Sequence, residues 1–295
     1  MTKTAFIAIV GCPNVGKSSI LNKLLGQKIA IVSSKPQTTR TKIMGVLTRG
    51  ETQLVFTDTP GYHKPHNKLG EKMYKAVGES LGGVDACLFV VEAKGEIKKG
   101  EAELIEKFKK LGVPVILAIN KIDMLPDKED LLKRIVEVSS LYDFYAVVPT
   151  CAATGENIGA LLDEMEKLAE PSPHFFPDDT LTDQPERVLA AEIIREKILR
   201  LMDKEIPHGI AVSIEKMRER DDADILDIEA TIYCERENHK GMVIGKKGAM
   251  LKKISTYSRQ DLENFFQIKV NLKTWVKVKE DWRNREGLIH NFGLD

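Results

Sequence analysis

Residues 11–18 read Gly-Cys-Pro-Asn-Val-Gly-Lys-Ser and follow directly on an apolar run at 5–10. The pattern is G-x-x-x-x-G-K-[ST], and residues 19–25 continue it with helix-like spacing. A strand, a glycine-bearing loop and a helix in immediate succession form a cradle for an anion. The glycines let backbone N–H groups turn inward, and the helix N-terminus adds positive potential. Lys17 would then reach the outer phosphates of a nucleotide, and Ser18 would stand as a Mg²⁺ ligand. The candidate cradle comprises Gly11, Pro13, Asn14, Val15, Gly16, Lys17, Ser18 and Ser19. A plain glycine turn before an ordinary helix would carry the same letters, so further motifs must decide.

The chain of 295 residues is long enough for about two domains, each with its own core. Lys and Arg total 44, as do Asp and Glu, which argues against a uniformly basic nucleic-acid binder. No apolar run approaches the ~20 residues of a membrane span. Met1-Thr-Lys-Thr leads straight into a strand-like run, so no secretory leader is expected. Cys12, Cys87, Cys151 and Cys234 form no C-x-x-C pair, so neither a zinc site nor a disulfide framework is expected, and a reducing cytoplasm suits the chain.

Residues 1–172 alternate strand-like and helix-like stretches, the rhythm of an α/β domain with a mostly parallel sheet and helices on both faces. Apolar runs at 5–10, 54–57, 86–91, 113–119 and 146–148 suit parallel strands covered on both sides. Helical patterns lie at 18–25, 101–111 and 158–168, and 43–48 reads as an extra strand hairpin-paired with the run ending at Thr57. Prolines and acids crowd 173–186, which reads as a linker. From 187 to 295 the pattern becomes helix (187–205), strand (210–218), strand (226–234), a Gly-Lys-Lys-Gly turn, helix (250–266) and strand (268–279). This is an α+β domain with a C-terminal extension. Ile193, Ile194, Ile198, Leu201 and Met202 share one face of the first helix, either as core or as a membrane-surface face.

Three further motifs fall at the ends of predicted strands, where an open α/β sheet places its ligand. Asp58-Thr-Pro-Gly61 offers a carboxylate for the Mg²⁺ shell and the Gly61 N–H for a γ-phosphate, although the same residues make a good surface turn. Asn120-Lys-Ile-Asp123 offers a carboxylate able to accept both the N1–H and exocyclic N–H₂ of guanine, with the Lys121 stem over the base; a helix N-cap is the plainer use of Asp123. Thr150-Cys151-Ala152 can support the base from its far side. With Asp58 about forty residues past Lys17 and Asn120 about sixty beyond that, the set resembles the translation-factor-type GTPases. That resemblance implies binding and hydrolysis of GTP to GDP with Mg²⁺ held by Ser18, Asp58 and a switch threonine, either Thr39 or Thr38, in the segment 33–41. It casts Lys17, Thr39, Gly61 and Asn14 as the catalytic set. The chain departs from Ras-type enzymes at Tyr62, which stands where they carry a water-orienting glutamine, so slow intrinsic hydrolysis is expected. Asn14 resembles the position that coordinates K⁺ in related GTPases lacking the glutamine, where a monovalent cation would add positive charge near the β–γ bridge.

In the second domain, Gly245-Lys246-Lys247-Gly248 can press its backbone against a phosphodiester chain, although a solvated turn would look the same. Residues 236–279 hold eleven Lys/Arg against three Asp/Glu, a directed basic patch within a neutral chain. Lys240, Lys252, Lys253 and Arg259 are the candidate additional phosphate contacts, and Ile244 and Leu251 either line a base groove or are core. Trp275 and Trp282 either stack on bases or anchor the last helix. The element order resembles a type II KH domain, which clamps about four nucleotides of single strand beside its G-x-x-G loop. The whole chain thus resembles the Era-type GTPases. The resemblance implies binding of the 3′ end of small-subunit ribosomal RNA, action in rRNA processing and small-subunit assembly, and peripheral contact with the inner face of the cell membrane; a monomer is expected. Two rivals stand beside it: a GTPase whose second domain only docks proteins, and a passive RNA chaperone for which nucleotide merely stabilises the fold.

Overall fold

The computed structural model describes residues 1–35, 37–202 and 206–294. Pro36, in the segment 33–41, the expected helix end at Glu205 and the terminal Asp295 lie outside the described residues. The chain divides into two units. One holds residues 1–30, 39–65 and 71–183, and the other holds 31–38, 66–70 and 184–295.

The first unit begins β1 (Lys3–Val10), α1 (Lys17–Leu25), β2 (Ile43–Arg49), β3 (Thr52–Asp58) and, from residue 71 on, α2 (Lys68–Ser80). It continues β4 (Ala86–Glu92), α3 (Lys99–Leu111), β5 (Val115–Asn120), α4 (Lys128–Ser139), β6 (Ala146–Thr150), α5 (Ile158–Glu166) and the short β7 (Glu170–Pro171). The sheet order is β2-β3-β1-β4-β5-β6, parallel except for β2, with β7 antiparallel to the start of β1. Side chains alternate between its two faces. Ile7, Ile9, Leu88 and Ile116 pack with Ile20, Leu21 and Leu161 of α1 and α5. Ala8, Val10, Phe89 and Leu117 pack with Val77, Leu104, Phe108 and Val138 of α2, α3 and α4. Because both faces are covered, the central strands read as unbroken apolar runs.

Sequence reasoning did not find α2, α4 or β7. In α4, Asp127 caps the start by accepting the Asp130 N–H at 2.9 Å, but Leu132 and Val136 are exposed and blur the one-sided pattern. In α2, Gly70 and Gly78 interrupt the helical composition. The stretch read as a linker is held down over most of its length. The Pro173 carbonyl accepts from Thr4 Oγ1 at 3.0 Å, and the Val46 N–H donates to the Leu181 carbonyl at 2.9 Å. Buried Gln53 accepts the Phe175 and Phe176 N–H groups at 2.8 and 3.0 Å and donates to the Phe176 carbonyl at 2.9 Å. A buried amide satisfied on all these sides fixes the segment's path, so residues up to 183 pack as part of the first unit.

The second unit contains α6 (Glu186–Leu201), β8 (Ile210–Glu219), β9 (Ile225–Cys234), α7 (Glu237–Ile244), α8 (Ala249–Phe266), β10 (Lys269–Val278) and α9 (Glu286–Asn291). Its sheet order is β10-β9-β8, with β10 parallel and β8 antiparallel to β9. Ile193, Ile194 and Ile198 of α6 and Ile254 and Leu262 of α8 pack on Ile228, Ala230 and Ile232 of β9. The apolar face of α6 is therefore core rather than a membrane-surface face. Within the same unit the buried Glu196 carboxylate accepts the Val32 N–H at 2.9 Å, and Arg195 donates to the Thr38 carbonyl. The expectation of a strand running straight into the G-x-x-G turn is corrected: α7 intervenes, and the order is α-β-β-α-α-β. Gly241 and a polar sequence hide that helix, which buries only His239 and Val243.

All four cysteines are free and buried. Burial raises the Cys12 thiol pKa to about 11 and those of Cys87 and Cys234 to about 12. The two tryptophans part company. Trp282 is 0 % exposed, donates Nε1–H to the Gly209 carbonyl at 3.0 Å and meets Phe292 edge-on, whereas Trp275 is 44 % exposed. Trp282→Ala is expected to destabilise the second unit by about 3–5 kcal/mol, and Trp275→Ala to stay within about 0.5 kcal/mol of the parent. Chemical denaturation followed by circular dichroism measures both.

Candidate functional site

The candidate nucleotide site lies at the C-terminal ends of β1, β3, β5 and β6. The loop after β1 is bent as only particular residues allow. Gly11 has φ 154°, and a Cβ there would sit 2.3 Å from the Val90 carbonyl oxygen. Gly16 has φ 105°, and its Cβ would lie 2.1 Å from Asn120 Nδ2. Asn14 takes φ 65°, the left-handed region that asparagine tolerates better than most residues. Lys17, at the first turn of α1, folds back so that Nζ donates to the Gly11 and Cys12 carbonyls at 3.2 and 3.1 Å. Burial pulls its ammonium below the ordinary lysine range, and the Asp58 charge opposes that pull.

Ser18, Thr39 and Asp58 meet at one point. Ser18 Oγ donates to Asp58 Oδ2 at 2.6 Å and lies 2.8 Å from Thr39 Oγ1. Thr38 turns elsewhere, its Oγ1 donating to the Lys35 carbonyl at 2.6 Å, so Thr39 is the threonine at the site. Burial pushes the Asp58 carboxyl up to about 6, with Lys17 and the Ser18 hydroxyl pulling the other way. Its second oxygen, Oδ1, is buried with no hydrogen-bond partner among the described residues. Two hydroxyls and a carboxylate with an unsatisfied oxygen suit a small hard cation such as Mg²⁺. Gly61 closes on the loop, and a Cβ there would be 2.6 Å from Pro13 Cα, so no side chain fits. The next N–H, of Tyr62, donates to the Gly11 carbonyl at 3.0 Å. The Tyr62 ring turns into the core, 3 % exposed, with its hydroxyl 2.8 Å from that of Tyr74 and Lys107 Nζ 4.6 Å from its centroid.

Asn120 ends β5 and joins three loops. Its Nδ2 donates to the Val15 carbonyl at 2.8 Å, and its Oδ1 accepts the Ala152 N–H at 3.0 Å and Thr150 Oγ1 at 3.4 Å. Asp123 is exposed, and its Oδ1 accepts the Cys151 thiol at 3.0 Å. Lys121, at φ 66°, pairs with Glu92. Glu92 was missed in the sequence. It also pairs with Lys98 at 2.6 Å, and two lysines hold its carboxyl below the usual range despite partial burial. An acid at the end of the apolar run 86–91 was the available signal.

In the second unit, Gly245 has φ 70° and ψ 174°, and a Cβ there would lie 2.7 Å from Met250 Cβ. Lys247 and Gly248 follow at φ 51° and 78°. Lys246 and Lys247 are exposed, as are Lys252 and Lys253 on the first turn of α8. Lys240 is half-buried 3.7 Å from Glu237, and Arg259 is occupied by Glu263 at 2.8 Å. Ile244 is half-buried, and Leu251 packs against the core.

Residues 6–121 match the family model described as "50S ribosome-binding GTPase", and residues 205–283 match a KH-domain model. The chain is 50 % identical to GTPase Era of Clostridioides difficile, over 100 % of this chain and 99 % of that protein. It is 48 % identical to GTPase Era of Clostridium kluyveri, over 99 % of each. A crystal structure of Era bound to MgGDPNP and nucleotides 1506–1542 of 16S ribosomal RNA superposes with a TM-score of 0.96 at 39 % identity, covering 100 % of this chain and 99 % of that one. A tyrosine-to-alanine variant of Aquifex aeolicus Era bound to GDP·AlF4⁻ superposes at 0.95 with 39 % identity, over 99 % of both chains. With the P-loop, the Asn-Lys-Ile-Asp loop and the G-x-x-G loop all in place, the chain belongs to the Era family of GTPases that carry a C-terminal KH domain.

Proposed function

We propose that this chain is a GTP-gated switch that binds the 3′ end of small-subunit ribosomal RNA and acts in rRNA processing and small-subunit assembly. The observation that carries the reading is the meeting of three side chains: the Ser18 hydroxyl lies 2.6 Å from Asp58 Oδ2 and 2.8 Å from Thr39 Oγ1, while the other Asp58 oxygen, Oδ1, is buried with no partner among the described residues. A switch needs a residue that is held only while the γ-phosphate is present, and Thr39, 2.8 Å from Ser18, would do that work. Ser18, Thr39 and Asp58 would hold Mg²⁺. The ion, when bound, neutralises charge developing on the β- and γ-phosphate oxygens. Lys17 would exchange its carbonyl partners for phosphate, Gly61 would offer its N–H, and Asp123 would read guanine, with Asn120, Lys121, Cys151 and Ala152 fixing the base pocket.

The RNA assignment draws on the relative solved with nucleotides 1506–1542 of 16S ribosomal RNA. The matched GTPase model names the 50S subunit instead, but it spans only residues 6–121, whereas the RNA complex aligns over the whole chain. Gly245, Lys246, Lys247 and Gly248 would clamp the RNA backbone, with Lys240, Lys252 and Lys253 as further phosphate contacts. The buried Tyr62 ring supports slow intrinsic hydrolysis, because it leaves no side-chain amide to orient water. Asn14 is the residue through which K⁺ would assist.

Replacing Asp123 by Asn is expected to lower guanine-nucleotide affinity by ~10² or more and to favour xanthine nucleotides, read by titration with fluorescent nucleotides; unchanged guanine preference would remove Asp123 from the base site. GTP turnover is expected to be faster in K⁺ than in Na⁺, and equal rates would take the cation role from Asn14. An oligonucleotide from the small-subunit rRNA 3′ end is expected to bind more tightly with a GTP analogue than with GDP, and by linkage to favour the GTP state by the same factor. Replacing Lys246 and Lys247 by Asp should abolish that binding. Equal affinities in both nucleotide states would discard the coupling and keep the RNA site.

A further inference from the structure

The β10-β9-β8 sheet of the second unit has one face packed on α6 and α8, through Val270, Ile228, Ala230 and Ile232. Side chains on a strand alternate, so the odd-numbered residues of β10 and β9 lie on the other face. There Lys273, Trp275 and Lys277 stand in line on β10, opposite Glu229, Thr231 and Tyr233 of β9. On β8, Ser213 lies opposite Thr231 and Lys216 opposite Glu229. At one end the Tyr233 ring lies 4.9 Å from Phe292, just past α9. Around Trp275 the face is open, and its indole is 44 % exposed.

The setting of that indole identifies what fits it. Its same-strand neighbours Lys273 and Lys277 are exposed, and so is Lys216 two strands away. The nearby acids have partners: Asp227 accepts both Arg220 and Asn271, Glu229 lies 4.0 Å from Lys273, and the exposed Glu215 accepts the Tyr233 hydroxyl at 3.5 Å. A protein-docking face would carry an apolar core around such an anchor, whereas here its neighbours along the strand face are the exposed Lys273 and Lys277, and the residue opposite it, Thr231, is buried. A flat aromatic within a cationic surround complements a base and its flanking phosphates. The α7 helix, which ends in the G-x-x-G loop, packs on β9 and β10 from the helix-covered face through Val243, so an RNA strand leaving that loop would pass the edge strand β10 to reach Trp275.

We propose that the open face of this sheet is a second single-strand RNA surface. Trp275 stacks on one base, and Lys216, Lys273 and Lys277 meet the phosphates of nucleotides beyond those clamped at Gly245–Gly248. The proposal rests on the RNA-binding reading given above and extends the length of RNA that the domain holds.

The test compares two lengths of single-stranded RNA, one of about four nucleotides that fills only the G-x-x-G clamp, and one about three times longer. The full chain has only two tryptophans, one of them buried, so protection of fluorescence from acrylamide quenching reports on Trp275. The long RNA is expected to protect Trp275 and the short one to leave it accessible. Trp275→Ala should weaken the long RNA by about 5- to 100-fold and leave the short RNA unchanged, with Trp275→Phe restoring most of the loss. Changing both Lys273 and Lys277 to Ala should flatten the salt dependence for the long RNA by about 1.4 in log–log slope. If these variants bind the long RNA as the parent does, while the Lys246 and Lys247 changes abolish both lengths, the second surface is overturned and the clamp stands. If the parent binds neither RNA, the RNA reading itself fails and this surface falls with it.

Discussion

One side-chain amide, that of Asn120, holds the nucleotide-binding corner together. It donates to the loop that would wrap the phosphates and accepts from the loop that would support the base, and it leaves no room beside Gly16 for anything larger than hydrogen. A neutral amide suits the task because it offers donor and acceptor on opposite sides at fixed geometry. Aspartate could make only the accepting half, and the Val15 carbonyl would lose its partner. Phosphate cradle and base pocket are therefore one object, and a defect in either is transmitted through this residue.

The corner around Ser18 works by concentrating costs. Asp58 is buried beside Lys17, and burial opposes the charged form of each while their mutual attraction favours it. A carboxylate oxygen without a partner is expensive in such a place. A cation bound there, or protonation of the carboxyl, would relieve that cost. The same logic in milder form runs through the second unit, where the positive φ angles of Gly245, Lys247 and Gly248 hold a turn open between two helices.

Much of this was legible in the sequence because it rests on local chemistry. The P-loop, Asp58-Thr-Pro-Gly61 and Asn120-Lys-Ile-Asp123 each need particular residue types at fixed spacing, and the buried parallel strands between them need unbroken apolar runs. What escaped depended on partners distant in sequence. Helix α7 is nearly featureless by pattern and exists because α8 and the sheet give Val243 a place to pack. The segment 173–183 has linker composition, yet Gln53, about 120 residues earlier, satisfies its backbone. Glu92 matters through Lys121, and nothing in its immediate neighbourhood announces that partnership. Composition could not separate Thr38 from Thr39, because only the fold shows that Thr39 lies beside Ser18 while Thr38 bonds the Lys35 carbonyl.

The buried thiols of Cys12, Cys87 and Cys234 have a practical meaning of their own. A thiol whose pKa lies at 11 or 12 is almost wholly neutral at cellular pH, and the neutral form is a poor nucleophile. Alkylating reagents can reach Cys87 or Cys234 only when the surrounding strands part. Cys87 lies on β4 of one unit and Cys234 ends β9 of the other, so the chain carries a native chemical clock in each half. When alkylation outpaces reclosing, the rate at which each cysteine is labelled counts how often its own half opens, with no residue changed.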